Sequence, residues 1–276
     1  MGIKKQVLLS LCLLIVLFSL ESCRRKYIPV DFLGTKMISH HAYLAPGDSV
    51  ESKNYYINAF DKNNGIEVDV QLSQDRTLWL YHNNVMSSCG SIKEECIMSK
   101  NDKEIANLAQ CENPKYCFTK LETVLEYMES HADGKVISLD VKTWFDSKCT
   151  VLANNVFFYY HNVAMEIIRL VRKHHLENRV MVESDVVYFL GKIKRNSDIA
   201  CYLTTLGDYN EGVRKALKYR YTGISFQYLD KEMIDKDDLI ALRNKGLRIQ
   251  LWVVNGDSLL NVAKSIQPDF IQTDEY

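Results

Sequence analysis

The sequence predicts an α/β protein: a (β/α)8 TIM barrel, irregular near its start and carrying a Cys-rich insertion. The first observation behind this is rhythm. Beyond residue 33, short β-branched and apolar runs alternate with longer helical patterns, as right-handed βα units on a parallel sheet require. The second is size and composition. The chain has 276 residues, 47% hydrophobic and 25% charged, and a barrel of this kind takes about 250 residues. Strand candidates are 36–39, 66–72, 77–81, 136–141, 180–183, 199–203, 222–226, 248–253 and 270–272. Helical stretches are 120–130, 151–174, 186–195, 210–217, 231–244 and 258–265. In 120–130, Leu121, Val124, Leu125 and Met128 fall on one face. The strand candidates exceed by one the places in an eight-stranded barrel. One is therefore peripheral, and 66–72 joins 77–81 with no room for a helix.

The N-terminus is a separate matter. Lys4 and Lys5 precede an apolar run from Val7 to Leu20, followed by Glu21, Ser22 and Cys23. A basic start, a short apolar segment and a small residue before the cleavage point predict a secretory signal over 1–22. An uncleaved signal anchor is the competing interpretation. Cys23 resembles the acylated cysteine of bacterial lipoproteins, although Glu21 is unusual in that setting. The expectation is a lipid-anchored linker over 23–33, with Arg24, Arg25 and Lys26 against lipid headgroups. The mature barrel then spans 34–276 and sits as an exported, membrane-anchored lipoprotein on the periplasmic or cell-surface side of an envelope. A formal net charge of -1 without a basic stripe gives no reason to expect a nucleic-acid partner.

Cysteine usage fits export. Beyond Cys12 and Cys23 stand Cys89, Cys96, Cys111, Cys117, Cys149 and Cys201. An even number in an exported chain suggests disulfides. A zinc site is the alternative, but the spacings lack Cys-x2-Cys turns. The segment 83–117 lies outside the rhythm, a polar, Cys-rich insertion that disulfides would order without a core of its own.

The chemistry centres on Gly65-Ile66-Glu67-Val68-Asp69-Val70. Residues two apart on a strand share a face, so Glu67 and Asp69 present paired carboxylates while Ile66, Val68 and Val70 pack. Paired acids repel unless a cation lies between them, which points to a divalent ion with hard oxygen ligands, Ca²⁺ or Mg²⁺. A solvated strand edge is the plain alternative. Ser138, Asp140 and Lys142 share a face of a second strand. Asp140 would be a third carboxylate and Lys142 a point charge for a phosphate oxygen, although a surface ladder pair looks the same. His40 and His41 end one strand and His82 another. Barrel sites gather at strand carboxyl ends, and imidazole suits proton transfer near neutrality.

The run Glu67-Val68-Asp69-Val70-Gln71-Leu72-Ser73-Gln74-Asp75, with His82 after Leu80-Tyr81, resembles the signature segment of the glycerophosphodiester phosphodiesterases. His40-His41-Ala42 sits where that family has His-Arg-Gly, and Asp140-Val141-Lys142 where it has Glu-x-Lys. The strand ending in Glu183-Ser184, Trp252 with Asn255, and Thr273-Asp274 continue the ordered series. Three departures stand out: His41 replaces the phosphate-gripping Arg, Asn83 follows His82 in place of Asp, and Asp140 is a shorter carboxylate. Glu51 or Asn54 stands in for a Glu-Asn-Thr segment that is not cleanly recognisable.

The resemblance implies metal-dependent hydrolysis of a glycerophosphodiester to glycerol 3-phosphate and an alcohol. Glu67, Asp69 and Asp140 would hold one divalent cation, His40 and His82 would act as base and acid, and Lys142 would offset developing charge. His41, Glu183 and Trp252 would line the substrate pocket, although a barrel Trp is as readily core. Two other functions remain open: a barrel phospholipase acting on lysophospholipid or phospholipid, and an inactive barrel lipoprotein that binds a partner.

Overall fold

The barrel closes on a pairing between its first strand and its second. The computed structural model describes residues 34–42, 52–82, 86–87, 94–108, 118–141, 149, 156–205, 207–229 and 234–275. Cys23, Asn83, Cys89, Cys111, Cys117 and Lys142 lie outside the described residues, as do Glu51 and the whole signal and linker region. In chain order the elements are β1 (Lys36–Ser39), α1 (Ser52–Lys62), β2 (Gly65–Leu72), β3 (Leu78–Leu80), β4 (Met86–Ser87) and β5 (Glu94–Glu95). Then come α2 (Asp102–Leu108), β6 (Thr119–Lys120), α3 (Leu121–His131), β7 (Val136–Asp140), α4 (Val156–Lys173), β8 (Val180–Ser184) and α5 (Val187–Asn196). The last are β9 (Ala200–Thr205), α6 (Tyr209–Tyr219), β10 (Gly223–Gln227), α7 (Lys236–Asn244), β11 (Arg248–Trp252), α8 (Asp257–Ile266) and β12 (Phe270–Thr273).

Strands β1, β2, β7, β8, β9, β10, β11 and β12 run parallel around a closed ring, with β1 bonded to both β12 and β2. The surplus strand is β3. It returns antiparallel along the far half of β2, pairing Leu80 with Val70, and β6 adds to its other side. The irregular start expected from sequence is this hairpin. Gly65 opens β2 where a Cβ would run into the Val136 carbonyl, so only glycine allows that approach.

Outward-facing residues such as Ile66, Val68 and Val70 are buried between the sheet and its helices. Inward-facing residues form layers. Ile38, Val136, Met181, Tyr202 and Phe270 make an apolar floor. Above it lies a polar layer: Glu183 accepts from Ser138 Oγ, Ser225 Oγ, Gln250 Nε2 and Gln272 Nε2, each at 2.7 Å. All of these side chains are buried.

Two expectations need correction. The insertion does have a small core: Ile97 and Ile105 are fully buried and pack with Trp79, Tyr81 and Phe118. It is also held by polar bonds. Asp102 accepts from Ser73 Oγ (2.9 Å), Thr77 Oγ1 (2.6 Å), Trp79 Nε1 (3.1 Å) and Lys120 Nζ (2.9 Å). Secondly, the cysteines do not all pair. Cys96 bonds Cys149, tying the insertion to the segment after β7. Cys201 is free and buried, and burial pushes its thiol up to about 12. Helices α1 and α2 are absent from the sequence expectation because their apolar stripes are short; α1 buries Tyr56, Ala59 and Phe60 in an otherwise polar run.

Candidate active site

At the end of β1 the chain turns tightly through His40–Ala42. His41 and Ala42 both have φ 50°, a left-handed conformation that side chains disfavour and that clusters at functional sites. The pairing of Ser39 with Thr273 sets His40 beside the residue after β12. There His40 Nδ1 meets Asp274 Oδ1 at 2.8 Å. A carboxylate only accepts, so Nδ1 carries the proton and Nε2 is left as the basic nitrogen. Asn255 in turn holds Asp274: its Nδ2 donates to Asp274 Oδ2 at 2.7 Å, and its Oδ1 accepts from the Asp274 amide at 2.9 Å. Burial lowers the His40 pKa below the usual imidazole value, and the Asp274 bond only partly restores it. Burial pushes Asp274 up, but the bonds from His40 and Asn255 outweigh that and hold it below the usual carboxylate range.

The carboxylates come from two adjacent strands. Register pairs Asp69 with Asp140 and Glu67 with Ser138, so all point into the barrel. Glu67 is 2% and Asp69 6% exposed, which rules out the solvated edge. One ligand atom from each of Glu67, Asp69 and Asp140 lies within 4.8 Å of the others. Two buried carboxylates converging with a third, half-buried one are costly without positive charge among them. This donor set fits a divalent cation.

His41 leans onto the same acids. Its Nδ1 is 2.8 Å from Asp69 Oδ2 and 3.7 Å from Glu67 Oε2, and its backbone N–H donates to Glu67 Oε2 at 2.8 Å. His82 stands edge-on to the His41 ring, centroids 4.3 Å apart. Its place has a different cause from the one expected. His82 does not end a barrel strand; β3 is the antiparallel return of β2, and it brings the chain back until the Tyr81 amide donates to the Asp69 carbonyl at 3.0 Å.

His40, His41, His82, Glu67, Asp69 and Asp140 are thus one cluster. Glu183 lies below it with its carboxylate oxygens committed to four barrel donors. Trp252 ends β11 in register with Gln227. It is half-buried, not core, and its buried indole N–H makes no hydrogen bond among the described residues. Asp274 and Asn255 are site residues that composition and spacing do not single out. The Thr273-Asp274 and Trp252-Asn255 pieces were the available signal, but nothing in spacing says that Asp274 touches His40.

No family model matches the chain, and no curated protein matches it by sequence. Solved structures do. A glycerophosphodiester phosphodiesterase from Parabacteroides distasonis superposes with a TM-score of 0.68 at 20% identity, covering 87% of this chain and 93% of that one. The chain has the glycerophosphodiester phosphodiesterase fold. One such enzyme from Thermotoga maritima gives a TM-score of 0.64 at 18% identity, over 88% of this chain and 96% of its own. An Oleispira antarctica phosphodiesterase, solved in complex with the product sn-glycerol-3-phosphate, gives 0.66 at 14% identity, over 87% and 93%. The glycerophosphodiester phosphodiesterase barrel expected from the signature residues is the one observed.

Proposed function

We propose that this chain hydrolyses a glycerophosphodiester to glycerol 3-phosphate and an alcohol. The observation that carries this is the convergence of Glu67, Asp69 and Asp140 against His40 and His82 at the mouth of a barrel with that fold. Glu67, Asp69 and Asp140 would hold a divalent cation, which when bound polarises the phosphoryl oxygens. His40, with its proton fixed on Nδ1 by Asp274, takes a proton at Nε2 from the attacking hydroxyl. His82, exposed at the mouth, returns one to the leaving alkoxide. Lys142 would supply positive charge to the phosphate. Cys23 as a lipid anchor would place the enzyme on a membrane surface.

A lysolipid substrate has one observation in its favour. Phe157, at the start of α4, is 63% exposed, and Leu229, just beyond β10, is 65% exposed. Both follow the carboxyl end of a barrel strand, where the site opens, and would suit an acyl chain.

The test is turnover of glycerophosphocholine and of lysophosphatidylcholine, with and without a chelator, by wild type and Asp69→Asn. Chelator-sensitive release of glycerol 3-phosphate, lost in the variant, is expected. Turnover confined to the lysolipid shifts the substrate, and none on either leaves an inactive binding barrel.

A further inference from the structure

We propose that Glu122, Glu126 and His174 form a second cation site, on the outer helices, which takes a divalent transition ion of the zinc class. None of the three belongs to the cluster at the barrel mouth, and the inference is independent of the proposed reaction. On α3, residues 122, 126 and 129 recur at i, i+4 and i+7. Three glutamates therefore line one face, beside the buried stripe of Leu121, Val124, Leu125 and Met128. His174 follows the last residue of α4 and is only 5% exposed. One ligand atom from each of Glu122, Glu126 and His174 lies within 4.8 Å of the others.

The buried imidazole is the group that calls for an ion. His174 Nδ1 is 2.7 Å from Glu129 Oε2. A carboxylate only accepts, so Nδ1 carries the proton and Nε2 presents a lone pair. That Nε2 is buried and makes no hydrogen bond among the described residues. It stands 3.9 Å from Glu122 Oε1, too far for a hydrogen bond. A lone pair turned towards a carboxylate is repelled unless a cation lies between them. Two ligands on one ion at roughly 2.1 Å stand at most about 4.2 Å apart, so a metal ion fits a gap that a proton does not bridge. Glu129 would then orient a metal-bound imidazole through its other nitrogen. Glu126 is exposed and can turn in to complete the set. Arg169 is committed to Glu166 by three bonds, which leaves Lys173 as the competing charge, 2.6 Å from Glu122 Oε1. Its side chain is 51% exposed and can swing out to solvent when an ion arrives. One imidazole nitrogen with carboxylate oxygens suits zinc better than Ca²⁺ or Mg²⁺.

The experiment uses the full chain, stripped of metal and then loaded with Zn²⁺. Anomalous scattering at the zinc edge from crystals of the loaded wild type should place an ion about 2.1 Å from His174 Nε2. That readout needs no variant to fold, and it is distinct from any ion held among Glu67, Asp69 and Asp140. Titration should then show one class of Zn²⁺ site weakened about 10- to 100-fold in His174→Gln and in Glu126→Gln, with the other class unchanged. Glu126 is exposed, so its replacement spares the fold if the buried histidine's does not. Phosphodiester turnover is followed in the same samples and should be the same in Glu126→Gln as in wild type. No ion at His174 Nε2 in Zn²⁺-saturated crystals overturns the proposal. Zn²⁺ binding that is identical in wild type and Glu126→Gln also overturns it, leaving His174 as a structural partner of Glu129.

Discussion

His40 Nδ1 and Asp274 Oδ1 lie 2.8 Å apart although 234 residues separate them in the chain. Barrel closure makes the contact: β12 pairs with β1, so the residue after each strand meets the other's. Asn255 then holds the second oxygen of Asp274. The result is an imidazole with one defined tautomer and one defined orientation.

Asp274 is therefore a positioning residue. Asp274→Asn should lower kcat by about 100-fold with KM little changed, because the amide no longer fixes the Nδ1 tautomer. The pH profile checks the role. A merely structural loss would reduce the amount of folded enzyme and leave the profile where it was; loss of positioning moves the acid limb.

The pH dependence has a defined sign. Burial lowers the His40 pKa below the free value of about 6.5. The folded protein thus binds fewer protons at this site than the unfolded chain does. The associated stability is fully present above the unfolded pKa and is lost as pH falls through the folded one. The base form of His40 likewise persists into mildly acid solution. The acid limb of kcat/KM should fall below about pH 6.5, and a limb above it would argue against His40 as the base.

Glu183 separates a structural role from a substrate role. Its carboxylate takes four bonds inside the barrel. Glu183→Ala leaves Ser138, Ser225, Gln250 and Gln272 with buried donors unpaired, at a cost of about 3–5 kcal/mol. Urea unfolding should report that loss, while KM of the folded fraction stays within about 2-fold. A large KM change at unaltered stability would return Glu183 to the substrate pocket.

The Cys96–Cys149 bond closes a loop of sequence separation 53. Cys96→Ser should cost about 2–4 kcal/mol through the entropy regained by the unfolded chain. Thermal unfolding of the wild type with and without reductant provides the same comparison.

Much of the fold was legible because burial imposes periodicity. Alternation put Glu67 and Asp69 on one face of 66–72 and Asp140 on one face of 136–141, and the strand count left one strand outside the ring, as observed. That 66–72 joins 77–81 with no room for a helix was legible, but not the effect of the return strand β3. Only its antiparallel pairing explains why His82 reaches Asp69. The core of the insertion was hidden for another reason: Ile97 and Ile105 find their partners in Trp79, Tyr81 and Phe118, residues from its two flanks.

By itself the sequence determined which side chains share a strand face, because pleating is local and repeats every two residues. That was enough to predict the barrel, the paired carboxylates and the histidines as a candidate site. The tertiary structure decided what those side chains touch. It set His40 on Asp274, turned His41 onto Glu67 and Asp69, and enclosed Glu183 among four donors. These contacts depend on barrel closure and strand register, which bring together residues that no local pattern relates.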